Sequence, residues 1–493
     1  MMSTTEHDHD QPVDGLSNHG QAVTGSSDQN RPVDGRPGHL QAASPEVVAE
    51  LVFELGDVVS LDPAVLTEHS RDTSRAEPAG LPAAVVQARS TADVQAALRW
   101  ATTHRVPVSV RGAGTGVSGG ALAYPGGLVI SMHAMNRLLE IDAANRIAEV
   151  DPGIIIEQLD QAAAEHGLMY APDPVSYQIA TIGGTVATNA GGLRCLAHGV
   201  TRDAIAGLEV VLADGRIIRT GSRTRKNSTG YDLTGLFIGS EGTLGVVTKV
   251  IARLKPRPTG DPVTFQAQFP TMASAGTAVA AIMALPTTPE LLELMDRNCI
   301  DIVQRHFPSA VAPGGAALLV GQTIGPDAHP QAETIVSTCR AAGALLAEAG
   351  DGAELLATRR MVNPALNAAG LALSCDVAVP PSRLAQMFER IETISTRTGY
   401  PVNTCAHAGD GNMHPAVLAG DDSVEEIDAA EHVLTLITEA ALEMGGVISG
   451  EHGIGSLKTG MLAQQFDPDT LALQHELKAF FDPAGILSPG RAI

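Results

Sequence analysis

Cysteine is scarce. There are five in 493 residues, Cys195, Cys299, Cys339, Cys375 and Cys405. They lie far apart with no Cys-x-x-Cys, which excludes a local iron–sulfur or zinc-thiolate motif and fits a reducing cytoplasm. Positive charge is also short: 32 Lys and Arg stand against 55 Asp and Glu, a formal net charge of −23. Nucleic-acid binding needs a basic face to neutralise phosphates, so it is not expected. No long apolar run escapes interruption by charge, Pro or Gly, so no transmembrane helix is expected. The opening MMSTTEHDHD lacks the apolar stretch of a secretory signal. A cytoplasmic protein is expected, free or peripheral at the inner membrane face. What remains is a chain 44% hydrophobic, enough for a buried core and long enough for two or three domains.

Residues 1–43 stand apart. They carry a loose ten-residue repeat (Gln11–Gly15, Gln21–Gly25, Arg31–Gly35) and almost no large apolar residues. Such a stretch cannot offset the entropy of ordering and reads as a disordered, solvated spacer, although His7, His9, His19 and His39 could bind metal weakly. From Ser44 the patterning is globular. Strands are predicted at Ala83–Ala88, Val106–Val110, Leu128–Met132, Leu138–Ile141 and Ile147–Val150, with helices at Thr91–His104 and Ile154–His166. Asp214-Gly215 between two apolar runs predicts a hairpin. The proline-rich Pro256–Pro262 marks a boundary between a domain at 44–257 and one at 258–493. In the second, a strand–helix rhythm (Val263–Phe269, Met272–Ala284; Ala317–Ile324, Pro330–Ala349; Leu373–Val379, Pro381–Thr398) predicts an α+β domain with its sheet covered on one face, and a last helix at Val424–Met444.

Three glycine-dense segments interrupt the first domain: Arg111–Gly120, Ala180–Gly192 and Gly239–Val246. Glycine lets backbone approach a phosphate, and successive N–H groups form an anion nest. The first contains Gly114-x-Gly116-x-x-Gly119, the spacing of a dinucleotide fingerprint, with Glu140 beyond it. That fingerprint needs a helix directly after the loop. Ala121–Gly127 leaves no room for one, so a Rossmann NAD site is rejected; no Gly-Lys-Ser/Thr follows, so neither is it a P-loop. Three such segments between apolar strands point to one large ligand held by backbone.

These stretches resemble the FAD-binding half of the vanillyl-alcohol-oxidase-type (PCMH-type) flavoenzymes, over about Pro78–Arg257. The resemblance implies a two-part FAD domain. FAD would be held by Arg111, Gly112, Ala113, Gly114, Thr115 and Gly116 of the first loop. Pro172, Asp173, Thr181, Gly183, Gly184, Asn189, Gly191 and Gly192 would serve from the second, and Glu241, Gly242, Leu244, Gly245 and Val246 from the third. Some members tether FAD through a His in the first loop. Here Thr115 stands in the loop with no His in 111–120, so non-covalent FAD is expected.

The second constellation is His407-Ala-Gly-Asp-Gly-Asn-Met-His414 with Gly450-Glu-His-Gly-Ile-Gly455. Two His and a Glu can supply three ligands to Zn²⁺ or a similar ion and leave a position for substrate. The stretch from Asp261 to Arg491 resembles the FAD-linked oxidase C-terminal domain of D-lactate, D-2-hydroxyglutarate and glycolate dehydrogenases. By that likeness His407, His414 and Glu451 bind a divalent metal, Zn being expected, His452 is the base, and Arg359 receives the substrate carboxylate. The hydroxyglutarate enzymes add a cation near Ser374. Here Leu373-Ser-Cys-Asp376 has none, which favours a small 2-hydroxy acid of the lactate or glycolate type over a dicarboxylate. The alkyl-glycerone-phosphate synthase branch shares the two-domain fold but carries a multi-histidine run where this chain has Glu451-His452. A flavin-free metallohydrolase would leave the glycine loops unexplained, and a non-catalytic flavin subunit need not keep the histidine–glutamate set. With no cysteine cluster, electrons must pass to a quinone, a cytochrome, a partner iron–sulfur subunit or oxygen. A homo-oligomer or hetero-complex is compatible with the sequence.

Overall fold

A computed structural model describes residues 39–307, 314–350 and 353–493. Most of the expected tail lies outside the described residues. Its last five do not form a free spacer: Gln41 N–H donates to Arg105 O, Ala43 N–H to Gly126 O, and Leu40 and Ala43 pack on the first core cluster. The apolar pair Leu40 and Ala43 draws this stretch into the fold, which begins before Ser44.

The first sheet has the order Val59–Ser60, Ala84–Gln87, Leu128–Ser131, Val108–Arg111, the last three strands parallel. Parallel pairing demands a crossover, supplied by helix Thr91–His104. A capping box starts that helix: Ser90 Oγ accepts from Asp93 N–H while the Asp93 carboxylate accepts from Ser90 N–H. The next regular element after Arg111 is the Leu128–Ser131 strand, so no helix follows the first glycine loop. The second sheet is antiparallel, in the order Leu138–Asp142, Ile147–Val150, Val246–Arg253, Ile205–Val211, Ile217–Gly221. The Asp214-Gly215 hairpin forms as expected, with Gly215 at φ +81°.

The third sheet is antiparallel with eight strands, centred on Val263–Phe269, Ala317–Thr323, Leu291–Asp296, Val402–His407 and Asn412–Leu418. Period-2 alternation gives each strand two apolar faces. Leu292, Leu294, Leu319 and Ala406 join the core beneath helices Met272–Met283, Ala328–Ala341, Leu384–Thr398 and Val424–Glu443. Met295, Leu318, Val320, Cys405 and Ala416 face the other way, against helices Arg297–His306 and Val362–Ala369. The sheet is therefore covered in part on both faces, not on one. Two elements also differ from expectation. The helix predicted to reach Ala349 stops at Ala341, because Gly343 turns the chain at φ +90° and Leu346–Gly350 pairs with Val263–Phe269 as an edge strand. The strand expected at Leu373–Val379 is split into Ala372–Ser374 and Val377–Ala378. Register places Cys375 opposite Pro415, which has no N–H to donate.

After helix Pro468–Phe481 the chain returns to the first sheet. Val108 N–H donates to Ile486 O, and Ser488 N–H to Val108 O. The Arg491 guanidinium donates to Ser109 Oγ, Gly120 O and Leu122 O, and lies 4.1 Å over the Tyr124 ring. The end of the chain thus pins the first glycine loop.

Candidate active site

One cavity of about 1220 Å³ is lined by all three glycine segments and by the histidine cluster. That is above the usual range for small-molecule pockets, roughly 300–1,000 Å³. Gly112, Ala113, Gly114, Thr115 and Gly116 line it, as do Thr181, Gly183, Gly184, Gly191, Glu241, Gly242, Gly245 and Val246. Arg111, Pro172, Asp173, Asn189, Gly192 and Leu244 do not reach the lining. The Arg111 guanidinium donates to Arg71 O, Asp173 Oδ1 accepts from Arg194 N–H, Asn189 Oδ1 accepts from Arg202 N–H, and Leu244 sits in the core. A Cβ on Gly192 would come within 2.3 Å of Asp173 O.

The second segment is not a loop throughout: Ile182–Thr188 is a short helix whose cap is Thr181 Oγ1, accepting from Gly184 N–H. A Cβ on Gly112 would stand 2.3 Å from Thr181 Oγ1, so glycine is what lets the two segments touch. At Gly116 a Cβ would meet nothing within 4 Å: this stretch of backbone faces open cavity, as a cofactor cradle requires. The sequence did not mark Thr73–Glu77, which lines the cavity beside the first loop; Thr73 N–H donates to Gly114 O and Gly116 O, and Arg75 brings a cation there.

The histidine cluster is assembled from two strands and a loop. Cys405 pairs with His414 across the Val402–His407/Asn412–Leu418 hairpin, and Glu451 and His452 come from the glycine-rich loop after helix Val424–Glu443. The imidazole rings of His407 and His414 are 5.1 Å apart, and His452 stacks on His414 at 5.2 Å. Glu451 Oε1 lies 3.5 Å from His407 Nε2, 3.4 Å from His414 Nε2 and 3.7 Å from His452 Nε2. His407 Nε2 is buried without a hydrogen-bond partner. Burial alone would depress the His407 pKa, but the Glu293 and Glu451 carboxylates raise it well above the ordinary value. Burial drives His414 down to about 3. Glu451 is held at about 2 despite its burial, by the surrounding imidazoles. Within the cluster, ligand atoms of His407, His414 and Glu451 all lie within 4.8 Å of one another, and so do those of Asp376, His414 and His452.

Arg359, at the end of helix Ala353–Arg360, is 7% exposed and lines the cavity, while neighbouring Arg360 is exposed. Its Nε donates to Glu293 Oε2 at 2.8 Å. Glu293 and Asp376 were missed by sequence reasoning. Asp376 Oδ2 accepts from Ser449 Oγ and from the N–H groups of Glu451 and His452, which shapes the loop. The available signal was a charged residue inside an apolar strand: Glu293 sits in Leu-Leu-Glu-Leu-Met. Two struts join this loop to the glycine segments. Ser118 Oγ donates to His452 O, and the Glu241 carboxylate accepts from Ile454 and Gly455 N–H at 2.7 and 2.8 Å.

Residues 82–221 match the FAD binding domain family, and residues 261–492 match the C-terminal domain of FAD linked oxidases. Glycolate oxidase subunit GlcD of Bacillus subtilis is 38% identical over 418 residues, covering 83% of this chain and 89% of that protein. D-lactate dehydrogenase of Archaeoglobus fulgidus is 38% identical over 416 residues, covering 83% and 91%. Among solved structures, p-cresol methylhydroxylase with substrate bound superposes with a TM-score of 0.75 at 19% identity, over 91% of this chain and 96% of that one. The fold is that of the PCMH-type flavoenzymes. The chain belongs to the FAD linked oxidases, and it is an FAD-dependent oxidoreductase.

Proposed function

We propose that this enzyme oxidises a small 2-hydroxy acid, of the D-lactate or glycolate type, to the 2-oxo acid. The observation that carries the reading is that Arg359 and the His407/His414/Glu451/His452 cluster line the same cavity as the three glycine segments. Arg359 receives the substrate carboxylate; a guanidinium stays charged and offers a fork that matches it. His452 Nε2 takes the hydroxyl proton, a role suited to a neutral imidazole near pH 7. FAD, held without a covalent tether along Gly112–Gly116, Thr181–Gly184 and Glu241–Val246, supplies the hydride acceptor when bound. The unpartnered His407 Nε2 and the convergence on Glu451 Oε1 fit a divalent cation, Zn by donor type. Such an ion lowers the pKa of a coordinated hydroxyl and fixes its orientation. Lys458 Nζ, a cation at the substrate end of the lining, donates to Asp376 O and Ile448 O. Asp376 Oδ2, 3.9 Å from Nζ, offsets its charge within the protein, which supports a monocarboxylate. Electrons then leave to an acceptor outside the chain. Among the described residues no helix is long and apolar enough to cross a membrane, so a quinone or cytochrome would be met at the surface.

The test is a panel of D- and L-2-hydroxy acids with an artificial dye as acceptor, on flavin-loaded protein, with a second portion of the same preparation denatured to release its flavin. D-lactate or glycolate should reduce the dye, and the freed flavin should be FAD. No turnover of any 2-hydroxy acid by flavin-loaded protein would overturn the proposal.

A further inference from the structure

Glu293 lies mid-strand between Leu292 and Leu294 with no exposed surface. A carboxylate placed there is costly unless both oxygens are satisfied. They are satisfied by two groups with different duties. Oε1 accepts from His407 Nδ1 at 2.7 Å, and Oε2 accepts from Arg359 Nε at 2.8 Å. The first bond fixes the ring orientation of His407 through Nδ1 and turns Nε2 toward Glu451 Oε1, 3.5 Å away. The second occupies only Nε of the guanidinium and leaves its two terminal nitrogens for the cavity that Arg359 lines.

We infer that Glu293 is a positioning residue that fixes the spacing between the cation site and the carboxylate site, and so holds both ends of the substrate in register with the flavin. The inference rests on the proposed 2-hydroxy-acid reading, and it goes beyond it by making the two ends interdependent. Glu293 touches neither substrate nor cofactor; it acts through His407 and Arg359. A carboxylate kept only for stability would move the melting temperature and leave the folded enzyme's ligand affinities alone.

The experiment compares Glu293→Gln and Glu293→Asp with the wild type, each as flavin-loaded full-length protein. Gln keeps the shape but can accept at one position only. Asp keeps the charge but is one methylene short of spanning both partners. Zn²⁺ affinity, read by titration of the chelated protein, should weaken roughly 10- to 100-fold, the usual effect of losing such an outer partner. KM for D-lactate should rise and kcat should fall, with flavin absorbance per chain retained. Combined with Arg359→Lys, the second substitution should cost less than it does alone. If the Gln variant does not fold, the Asp variant carries the same readouts. Folded variants with wild-type Zn²⁺ affinity and wild-type KM would overturn the inference. A wild type that binds no Zn²⁺ would overturn it too, by removing one of the two coupled ends. A wild type that turns over no 2-hydroxy acid would instead refute the function on which it rests.

Discussion

Arg359→Lys probes the substrate pocket with the least disturbance to the fold. Arg359 is buried beside fully buried Glu293, and the acid surroundings, against the effect of burial, raise its pKa above even the ordinary guanidinium value. Deleting it outright would leave the Glu293 carboxylate with His407 as its remaining partner. Breaking a buried ion pair costs about 3–5 kcal/mol, so Arg359→Ala would confound folding with binding. Lysine keeps a positive charge for Glu293 but not the planar fork, and a single ammonium cannot serve both Glu293 and a substrate carboxylate in parallel. A charge-assisted hydrogen bond is worth about 1.5–3 kcal/mol, so kcat/KM should fall roughly 10- to 150-fold. The carboxylate is not the reacting centre and is bound alike in ground and transition states, so most of the loss should appear in KM. The assay is steady-state dye reduction with D-lactate, alongside thermal melting and flavin absorbance. Wild-type KM in a folded Arg359→Lys variant would refute the assignment. Arg360→Ala, at an exposed neighbour, is the control and should leave KM unchanged.

Two further predictions concern the cofactor cradle and the folded state. Gly116→Val should leave the melting temperature of flavin-free protein nearly unchanged, since its Cβ would meet no protein atom within 4 Å, yet it should lower flavin absorbance per chain; full flavin loading would mean that no cofactor lies against this backbone. Asp296 caps helix Arg297–His306, accepting from Cys299 and Thr404 N–H, and burial pushes its carboxyl up to about 7. A carboxyl whose folded pKa lies above its unfolded value, about 3.9, gives stability that is complete below the unfolded pKa and lost as pH rises through the folded one. Wild-type melting temperature should therefore decline relative to Asp296→Asn between about pH 4 and pH 7, and a pH-independent difference would show that the carboxyl is not raised.

Much of the architecture was legible because local and global signals agree. The helix at Thr91–His104, the Asp214-Gly215 turn and the strand at Val263–Phe269 fall where patterning places them. Where the reading failed, the deciding contact was distant in sequence. Nothing local in Ala341–Gly350 announces an edge strand; its partner, Val263–Phe269, lies some eighty residues earlier. The histidines and Glu451 were visible as motifs, since glycine-rich surroundings set them off. Glu293 and Asp376 were not: Glu293 is a single acid within an apolar strand and Asp376 a single acid in the break between two short strands, and the meaning of each depends on which side chains the fold sets beside it.

That register also explains why the two halves of the cavity are not separable parts. A Cβ on Gly191 would come within 2.6 Å of Glu451 Oε2, and one on Gly119 within 2.3 Å of Ser456 Oγ. At these positions a side chain of the 450–456 loop approaches the glycine backbone too closely for a Cβ. Glu241 does the same work with charge. It adopts φ +51°, uncommon for a non-glycine residue, and its buried carboxylate, pushed up by that burial, accepts two N–H groups of the loop that carries His452. A residue whose motif reads as a flavin contact is thus bonded to the segment that carries His452, the proposed base. These glycines serve in two ways: Gly116 opens toward the cavity, while Gly119 and Gly191 admit the loop of Glu451 and Ser456. The glycine loops that line the cavity thereby also set the position of His452.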